Sequence, residues 1–112
     1  MFKSVILLTR ADNISEAEFR EWYLSEHGPT VRRLGGDRLR RYEVSYVVCP
    51  GLRSEFVNGE PPFHAVVEAY YDDRETCLQA WADYASDGEL GRVIDRVKSR
   101  VAVVAEVVDL LA

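Results

Sequence analysis

Hydrophobic and polar positions change their spacing repeatedly along the chain, and the changes predict the element order β-α-β-β-α-β. Strands are indicated where apolar residues alternate with polar ones or run together, and helices where apolar residues recur every three or four positions. The predicted strands are 3–9, 39–48, 63–71 and 101–111. A stretch rich in proline and glycine, 49–62, separates the second strand from the third and is predicted to be a long hairpin loop.

The first helix carries the clearest local signals. Ser15 and Glu18 have the spacing of a capping box, which satisfies free backbone N–H groups at a helix start. Ring-bearing side chains at helical spacing are expected to share the inward face. They are Phe19, Trp22, Tyr23 and His27. Gly28-Pro29 is typical of a helix end, so the helix is predicted to stop directly after His27.

The second helix is predicted to begin at Asp72, where Glu75 completes a box-like start, and to end at Ser86-Asp87-Gly88. Its buried face is expected to consist of Leu78, Trp81 and Ala85. Apolar spacing further on indicates another turn or two of helix before the last strand. The residues that carry this pattern are Leu90, Val93, Ile94 and Val97.

The topology predicts an α+β domain with a ferredoxin-like fold, in which both helices cover one face of a four-stranded antiparallel sheet. The other face would be bare, yet the first and last strands are apolar on both sides. An identical sheet would cover it, so we expect a homodimer whose two sheets form a dimeric α/β barrel. A different partner, or loops that fold over the face, are the alternatives. Nothing divides the chain, so 1–112 is expected to be a single domain.

Composition narrows the function classes. The net charge of −5, from 19 acidic and 14 Lys and Arg residues, disfavours nucleic acid and anionic membranes as partners. Cys49 and Cys77 are the only cysteines and follow no motif, so we expect reduced structural thiols in a cytoplasmic protein and no metal site. A basic cluster interrupts the acidic chain and is either a solvated patch or an anion site. It contains Arg32, Arg33, Arg38, Arg40 and Arg41.

The motifs in chain order resemble those of the EthD family. The most specific are the capped helix 15–23, the run Glu26-His27-Gly28-Pro29, and the strand start Leu39-Arg40-Arg41-Tyr42. The resemblance covers the whole chain and implies a dimeric α/β barrel, which agrees with the topology argument. EthD proteins accompany the degradation of ethers and other small organic molecules, so the resemblance implies a role of that kind.

The chain is also similar to cofactor-free methylmuconolactone methylisomerases, through 41–44 and the third strand around Glu68. This similarity implies a functional histidine at the helix end, where His27 stands. Those enzymes also use a cysteine on the third strand, where this chain has Ala69. A thiol-dependent methyl shift is therefore not expected. Haem-degrading monooxygenases of the same fold have a histidine on the second helix that this chain lacks.

His27 and Glu68 are the candidate catalytic residues. A neutral imidazole can give and take protons near neutral pH, although a histidine at a helix end can also simply cap carbonyl groups. Glu68 lies on the strand face opposite the helices, so it is expected to point into the barrel cavity and act as an acid or base. The alternative for Glu68 is an ion pair at the dimer interface with an arginine such as Arg41.

The remaining candidates would bind substrate. His64 and Tyr70 share the strand face of Glu68, while aromatic residues of the helices could supply flat walls or plain core. The substrate-binding candidates are Tyr70, His64, Tyr23, Trp22, Trp81, Tyr42 and Arg41. We expect a cofactor-independent enzyme that moves protons on a small cyclic or aromatic molecule, as an isomerase or cyclase of catabolism or secondary metabolism. A non-catalytic small-molecule binding or accessory protein, and a cofactor-free monooxygenase, are the alternatives.

Overall fold

Four strands pair antiparallel in one sheet, in which the second strand of the chain pairs with the third, the third with the first, and the first with the fourth. The computed structural model describes residues 1–48, 63–88 and 92–111, so the predicted loop 49–62, Cys49 and Leu90 lie outside the described residues. The elements are β1 Phe2–Arg10, α1 Glu16–Trp22, a π-helical turn Tyr23–His27, α2 Gly28–Gly35, a 3₁₀ turn Gly36–Arg38, β2 Arg41–Tyr46, β3 Ala65–Tyr71, α3 Arg74–Ser86 and β4 Val97–Glu106. This is the predicted ferredoxin-like α+β fold.

The predicted capping box starts α1. The Ser15 hydroxyl accepts a hydrogen bond from the Glu18 backbone N–H at 3.1 Å, and the Glu18 carboxylate accepts one from the Ser15 N–H at the same distance. These bonds lower the pKa of Glu18 below its ordinary value. The two residues therefore fix where the helical segment begins.

The prediction that Gly28-Pro29 ends the first helix is wrong. The chain passes through the π-helical turn and continues as α2 to Gly35, with Pro29 in the first turn of that helix. Proline lacks a backbone N–H, and the wider π turn accommodates the missing hydrogen bond without stopping the helix. The segment ends instead at Gly36, whose φ of 57° favours glycine. Gly35 and Gly36 stand together at this turn.

The faces of β1, β2 and β3 follow the alternation in the sequence. On β2, Tyr42, Val44 and Tyr46 face the helices, and on β3 the same face carries small and apolar residues that are fully buried. Those β3 residues are Ala65, Val67, Ala69 and Tyr71. Because β-strand side chains alternate between faces, Glu68 and Tyr70 lie on the opposite side, as the sequence predicted. Relative to the prediction, β1 is one residue longer at each end, β2 is two residues shorter at each end, and β3 starts two residues later and ends as predicted.

Helix α3 is rotated relative to its predicted orientation. Its buried residues are Cys77, Ala80 and Tyr84. Leu78 and Ala85, which were predicted to be buried, are both exposed. Asp73, rather than Asp72, caps the helix by accepting a hydrogen bond from the Thr76 N–H at 2.8 Å. Because the cap lies one residue later, the helix also starts one residue later. Apolar residues stand at adjacent positions of this helix, so the sequence allowed more than one buried face, and the predicted face was the wrong one. The predicted stop at Ser86-Asp87-Gly88 is confirmed.

The last strand begins earlier than predicted, at Val97, and ends at Glu106. Val97 therefore belongs to β4 and not to a preceding helical turn. On the face away from the helices, Val103 lies beside Val5 and Val101 beside Leu7 in register. Val101 and Val103 are 55% and 54% exposed, so the described chain leaves an apolar strip on this open face of the sheet. Among the described residues, no helix has the length and apolar character that a bilayer span requires.

Candidate functional site

An apolar cavity lies between the helices and the sheet. Buried histidine and tyrosine side chains line it. Its volume is about 40 Å³, which admits a few water molecules at most. Polar side-chain atoms on its wall come from one hydroxymethyl side chain, one imidazole, one indole and four phenols. These residues are Ser4, His27, Trp81, Tyr23, Tyr42, Tyr71 and Tyr84. Among the described lining residues none is Asp, Glu, Lys or Arg, so the inner cavity carries no formal charge when His27 is neutral.

His27 is buried at 6% exposure, on the inward face that the sequence predicted. Its ring stacks on Trp22 with centroids 4.8 Å apart and planes 14° from parallel, and it meets the Tyr23 ring edge-on at 5.1 Å. The Tyr84 hydroxyl lies 3.3 Å from His27 Nε2. Packing on three sides and a hydroxyl partner hold the imidazole in one orientation against the cavity.

The π-helical turn makes the stacking of Trp22 on His27 possible. In a regular α-helix, residues five apart point about 140° away from each other. Here the Gly28 N–H bonds to the Tyr23 carbonyl five residues back, so the turn is wider and the two rings come onto one face. A Cβ on Gly28 would lie 2.7 Å from the Tyr23 carbonyl oxygen, so the close approach of this backbone requires glycine.

Tyr23 and Tyr42 form the boundary between the inner cavity and a wider surface groove. Their hydroxyl oxygens are 2.5 Å apart and hydrogen-bonded, and both side chains line the cavity and the groove. Burial raises the pKa of Tyr23 well above its ordinary value, and the adjacent Tyr42 hydroxyl adds to the rise. Tyr23 therefore stays a neutral phenol that can donate a hydrogen bond to a ligand oxygen.

Glu68 does not share this cavity with His27, because it lies on the open face of the sheet. There its carboxylate forms an ion pair with Lys3 at 2.7 Å, and this contact raises the pKa of Lys3. Tyr70 lies next to it, with Lys3 Nζ 5.2 Å and the Arg41 guanidinium 5.6 Å from its ring centre. The partner of Glu68 is thus Lys3 and not Arg41, which pairs with Glu43 at 2.9 Å.

The other predicted site residues are divided between the cavity and its surroundings. Trp81 lines the cavity and meets Tyr84 edge-on at 5.6 Å, and Trp22 backs His27 from outside the lining. His64 lies just before β3, where its Nδ1 accepts a hydrogen bond from the Arg10 backbone N–H at 2.8 Å. The structure therefore brings together His27, Tyr23, Tyr42 and Trp81, and it places Glu68, Tyr70, His64 and Arg41 elsewhere.

Sequence reasoning missed Tyr84 and Ser4. Tyr84 follows Cys77 and Ala80 at intervals of three and four residues, which is the spacing of the true buried face of α3. Ser4 is a polar residue in the middle of an apolar strand, on the face that packs toward the helices, and it is 2% exposed. The sequence signal for Ser4 was a polar residue at an inward-facing position of an apolar strand, since buried polar groups need a hydrogen-bond partner.

No metal cluster is present in the described ranges 1–48, 63–88 and 92–111, where no three His, Cys, Asp or Glu side chains gather closely enough to share an ion. Cys77 is fully buried against Ala69 and Tyr71, and burial raises the pKa of its thiol. A protonated thiol in an apolar cluster is a packing residue, which agrees with the structural role expected from the sequence.

Fold and site together define a ferredoxin-like protein with a cavity beneath its helices. The chain belongs to the EthD family, because the family model described as the EthD domain matches residues 11–91. It is similar to an EthD family protein from Bacillus halodurans, at 24% identity over 96% of this chain and 100% of that one, with a TM-score of 0.70. No curated protein sequence matches it significantly.

Two further solved structures share the fold. An EthD-like protein from Ralstonia eutropha is 22% identical over 97% of this chain and 93% of its own, with a TM-score of 0.70. A dimeric ferredoxin-like protein of unknown function from Thermobifida fusca is 16% identical over 95% and 90%, with a TM-score of 0.64. At these identities the likeness shows the fold alone.

Proposed function

We propose that this protein is a cofactor-independent enzyme that transfers protons on a small cyclic or aromatic molecule, as an isomerase or cyclase does. The observation that carries the proposal is the buried imidazole of His27 on the wall of an uncharged, phenol-lined cavity. Imidazole is the side chain whose ordinary pKa suits proton transfer near neutral pH. Its fixed orientation between Trp22 and the Tyr84 hydroxyl supplies the positioning that such a base needs.

The chemistry assigned to each group balances without an oxidant. His27 accepts a proton from a carbon between a carbonyl group and a C=C bond. The electron pair of that C–H bond forms a new C=C bond, and the π pair of the carbonyl group moves onto its oxygen. The Tyr23 and Tyr42 hydroxyl pair donates to the resulting oxyanion, which is stabilised strongly where water is excluded. The imidazolium then returns the proton to the far carbon of the original C=C bond, the carbonyl group re-forms, and the product is the conjugated isomer. Glu68 has no part in these steps, because it lies across the sheet from His27.

Entry of a ring requires the Tyr23 and Tyr42 side chains to part. The inner cavity of about 40 Å³ is smaller than the roughly 300–1,000 Å³ of typical ligand sites. The surface groove on the other side of the two phenols measures about 830 Å³. A ligand that enters from the groove would replace the hydrogen bond between the two hydroxyls with bonds to its own oxygen.

Deuterium exchange tests the proposal with 2-tetralone, a bicyclic ketone with acidic protons beside its carbonyl group. We expect the protein to accelerate exchange of those protons in D₂O, as followed by NMR, and His27→Ala to lose the acceleration. Arg74→Gln, an exposed change at the start of α3, is the matched control and should retain it. Exchange that is equally fast in the His27→Ala protein would contradict the role of the imidazole.

A non-catalytic small-molecule binding role is the second candidate, and the contact between His27 and Tyr84 favours it. A histidine held by a hydroxyl and two rings is also a sound packing residue. In that case 2-tetralone should shift the tryptophan fluorescence of the protein without any exchange above the rate in buffer. Binding with no acceleration of exchange would therefore select this candidate over the enzyme.

We further propose that the protein is a homodimer joined through the open face of the sheet. The apolar strip of Val5, Leu7, Val101 and Val103 supports this, as does the dimeric relative from Thermobifida fusca. Light scattering should give twice the mass of one chain, and Val103→Glu should give a monomer. Ile94→Glu, which adds the same charge at an exposed site off the sheet, should remain a dimer. A monomeric wild-type protein would refute the proposal.

A further inference from the structure

The basic cluster of the sequence separates into two sets in the fold. Arg38 pairs with Asp83 at 2.8 Å, Arg40 with Asp72 at 2.8 Å, and Arg41 with Glu43 at 2.9 Å. Each of these three guanidinium groups has a carboxylate partner within 3 Å. Arg32 and Arg33 behave differently, because both lie on α2 along the surface groove.

Arg32 and Arg33 give the groove an excess of positive charge. Within the described residues Arg32 forms no ion pair, and the nearest carboxylate oxygen to Arg33 belongs to Asp87 at 4.0 Å. Arg20 also lines the groove, where it bonds to Glu16 and lies over the Tyr46 ring at 4.4 Å. The lining contains three arginines and no Asp or Glu among the described residues, so the side chains that an anion would meet in the groove favour it electrostatically.

The groove is also apolar along its length. Leu24 is 74% exposed there, and Val44 and Tyr46 of β2 form the opposite wall. At its inner end the groove meets Tyr23 and Tyr42, the two phenols that close the cavity of His27. A ligand could therefore place a ring in the cavity while the rest of the molecule extends past exposed apolar side chains toward two guanidinium groups.

We propose that the groove binds the carboxylate of an amphipathic organic acid whose uncharged ring enters the inner cavity. This inference rests on the proposed function, since it assigns a substrate class to the same site. The uncharged cavity selects the ring, and Arg32 and Arg33 select the acid, because guanidinium groups bind carboxylates through paired, charge-assisted hydrogen bonds. Neither selection involves Glu68 or the open face of the sheet.

Two probes of equal shape test the charge preference. 2-Naphthaleneacetic acid and 2-naphthaleneacetamide differ only in the carboxylate, and their affinities can be compared by calorimetry or by Trp fluorescence. We expect the acid to bind about tenfold more tightly than the amide at low salt, with the difference shrinking as salt is added. In Arg32→Gln/Arg33→Gln the preference for the acid should disappear while affinity for the amide is retained.

A control variant separates local from overall charge. Arg74→Gln/Lys98→Gln lowers the net charge by the same two units at exposed sites outside the groove, and it should keep the preference. The proposal is overturned if the wild-type protein binds acid and amide equally, if neither compound binds at millimolar concentration by NMR, or if the preference survives in Arg32→Gln/Arg33→Gln. Its failure is distinct from that of the catalytic proposal, which depends on exchange into uncharged 2-tetralone and on His27.

Discussion

Gly28→Ala tests whether the π-helical turn is held by the close approach of its own backbone. In a regular helix, alanine is favoured over glycine by about 1 kcal/mol, so propensity alone predicts stabilisation. The new Cβ would lie 2.7 Å from the Tyr23 carbonyl oxygen, a backbone atom that no side-chain rotation can move aside. Overpacking of this kind typically costs about 1–3 kcal/mol, and the loss of the turn's hydrogen bond adds to it.

We therefore expect Gly28→Ala to lower the free energy of unfolding by about 1–2 kcal/mol after the propensity gain is subtracted. Urea denaturation at a fixed protein concentration measures the change, since the stability of the proposed homodimer would depend on concentration. The Trp22 fluorescence should shift as well, because the ring stacks on His27 across the same turn.

Gly35→Ala is the matched control within α2. The nearest atoms to its Cβ would be Cδ2 and Cβ of Leu39, at 3.2 and 3.3 Å, contacts that a shift of a few tenths of an ångström relieves, so the change should cost much less than Gly28→Ala. If Gly28→Ala proved as stable as the wild-type protein, with unchanged Trp22 fluorescence, the steric account of the turn would be refuted.

Two more predictions follow from buried titratable groups. Cys77 is fully buried and its thiol pKa is raised, so it should resist alkylation by iodoacetamide in the native protein and react on unfolding. Peptide mass spectrometry measures the labelling, and rapid labelling of the native protein would contradict this prediction. Burial also raises the pKa of Tyr23 above its value of 10.0 in the unfolded chain, so its contribution to stability is complete below pH 10 and declines as pH rises beyond it. Denaturation at pH 9 and pH 11 should show a smaller decline for Tyr23→Phe than for the wild-type protein, and equal declines would contradict the assignment.

The fold could be predicted from the sequence because strand faces follow a strict period of two. The alternation placed Tyr42, Val44 and Glu68 on the correct sides of the sheet, and the capping box placed the start of α1. The order β-α-β-β-α-β then left few topologies, and the ferredoxin-like one is observed. The EthD motifs pointed to the same fold and to the family that the chain matches.

The candidate site could be predicted only in part. His27, Tyr23 and Trp81 line one cavity, whereas Glu68 lies on the other face of the sheet with Lys3, so the two residues predicted to be catalytic do not share this cavity; their roles stay predictions. Two causes explain the errors. Gly28-Pro29 reads as a stop because sequence spacing cannot reveal a π turn, and apolar residues at successive positions of α3 allow more than one buried face, which concealed Tyr84.

The wide turn at 23–27 is equivalent to one surplus residue placed within an otherwise continuous helical segment. Its geometric effect is confined to the side chains around it, because the segment proceeds as ordinary helix on either side. Removing a single residue there would let the chain close into uniform helix and leave the helical stretches on either side in their present orientations. The sheet and its pairing would survive such a deletion, and the imidazole would lose its place against the indole.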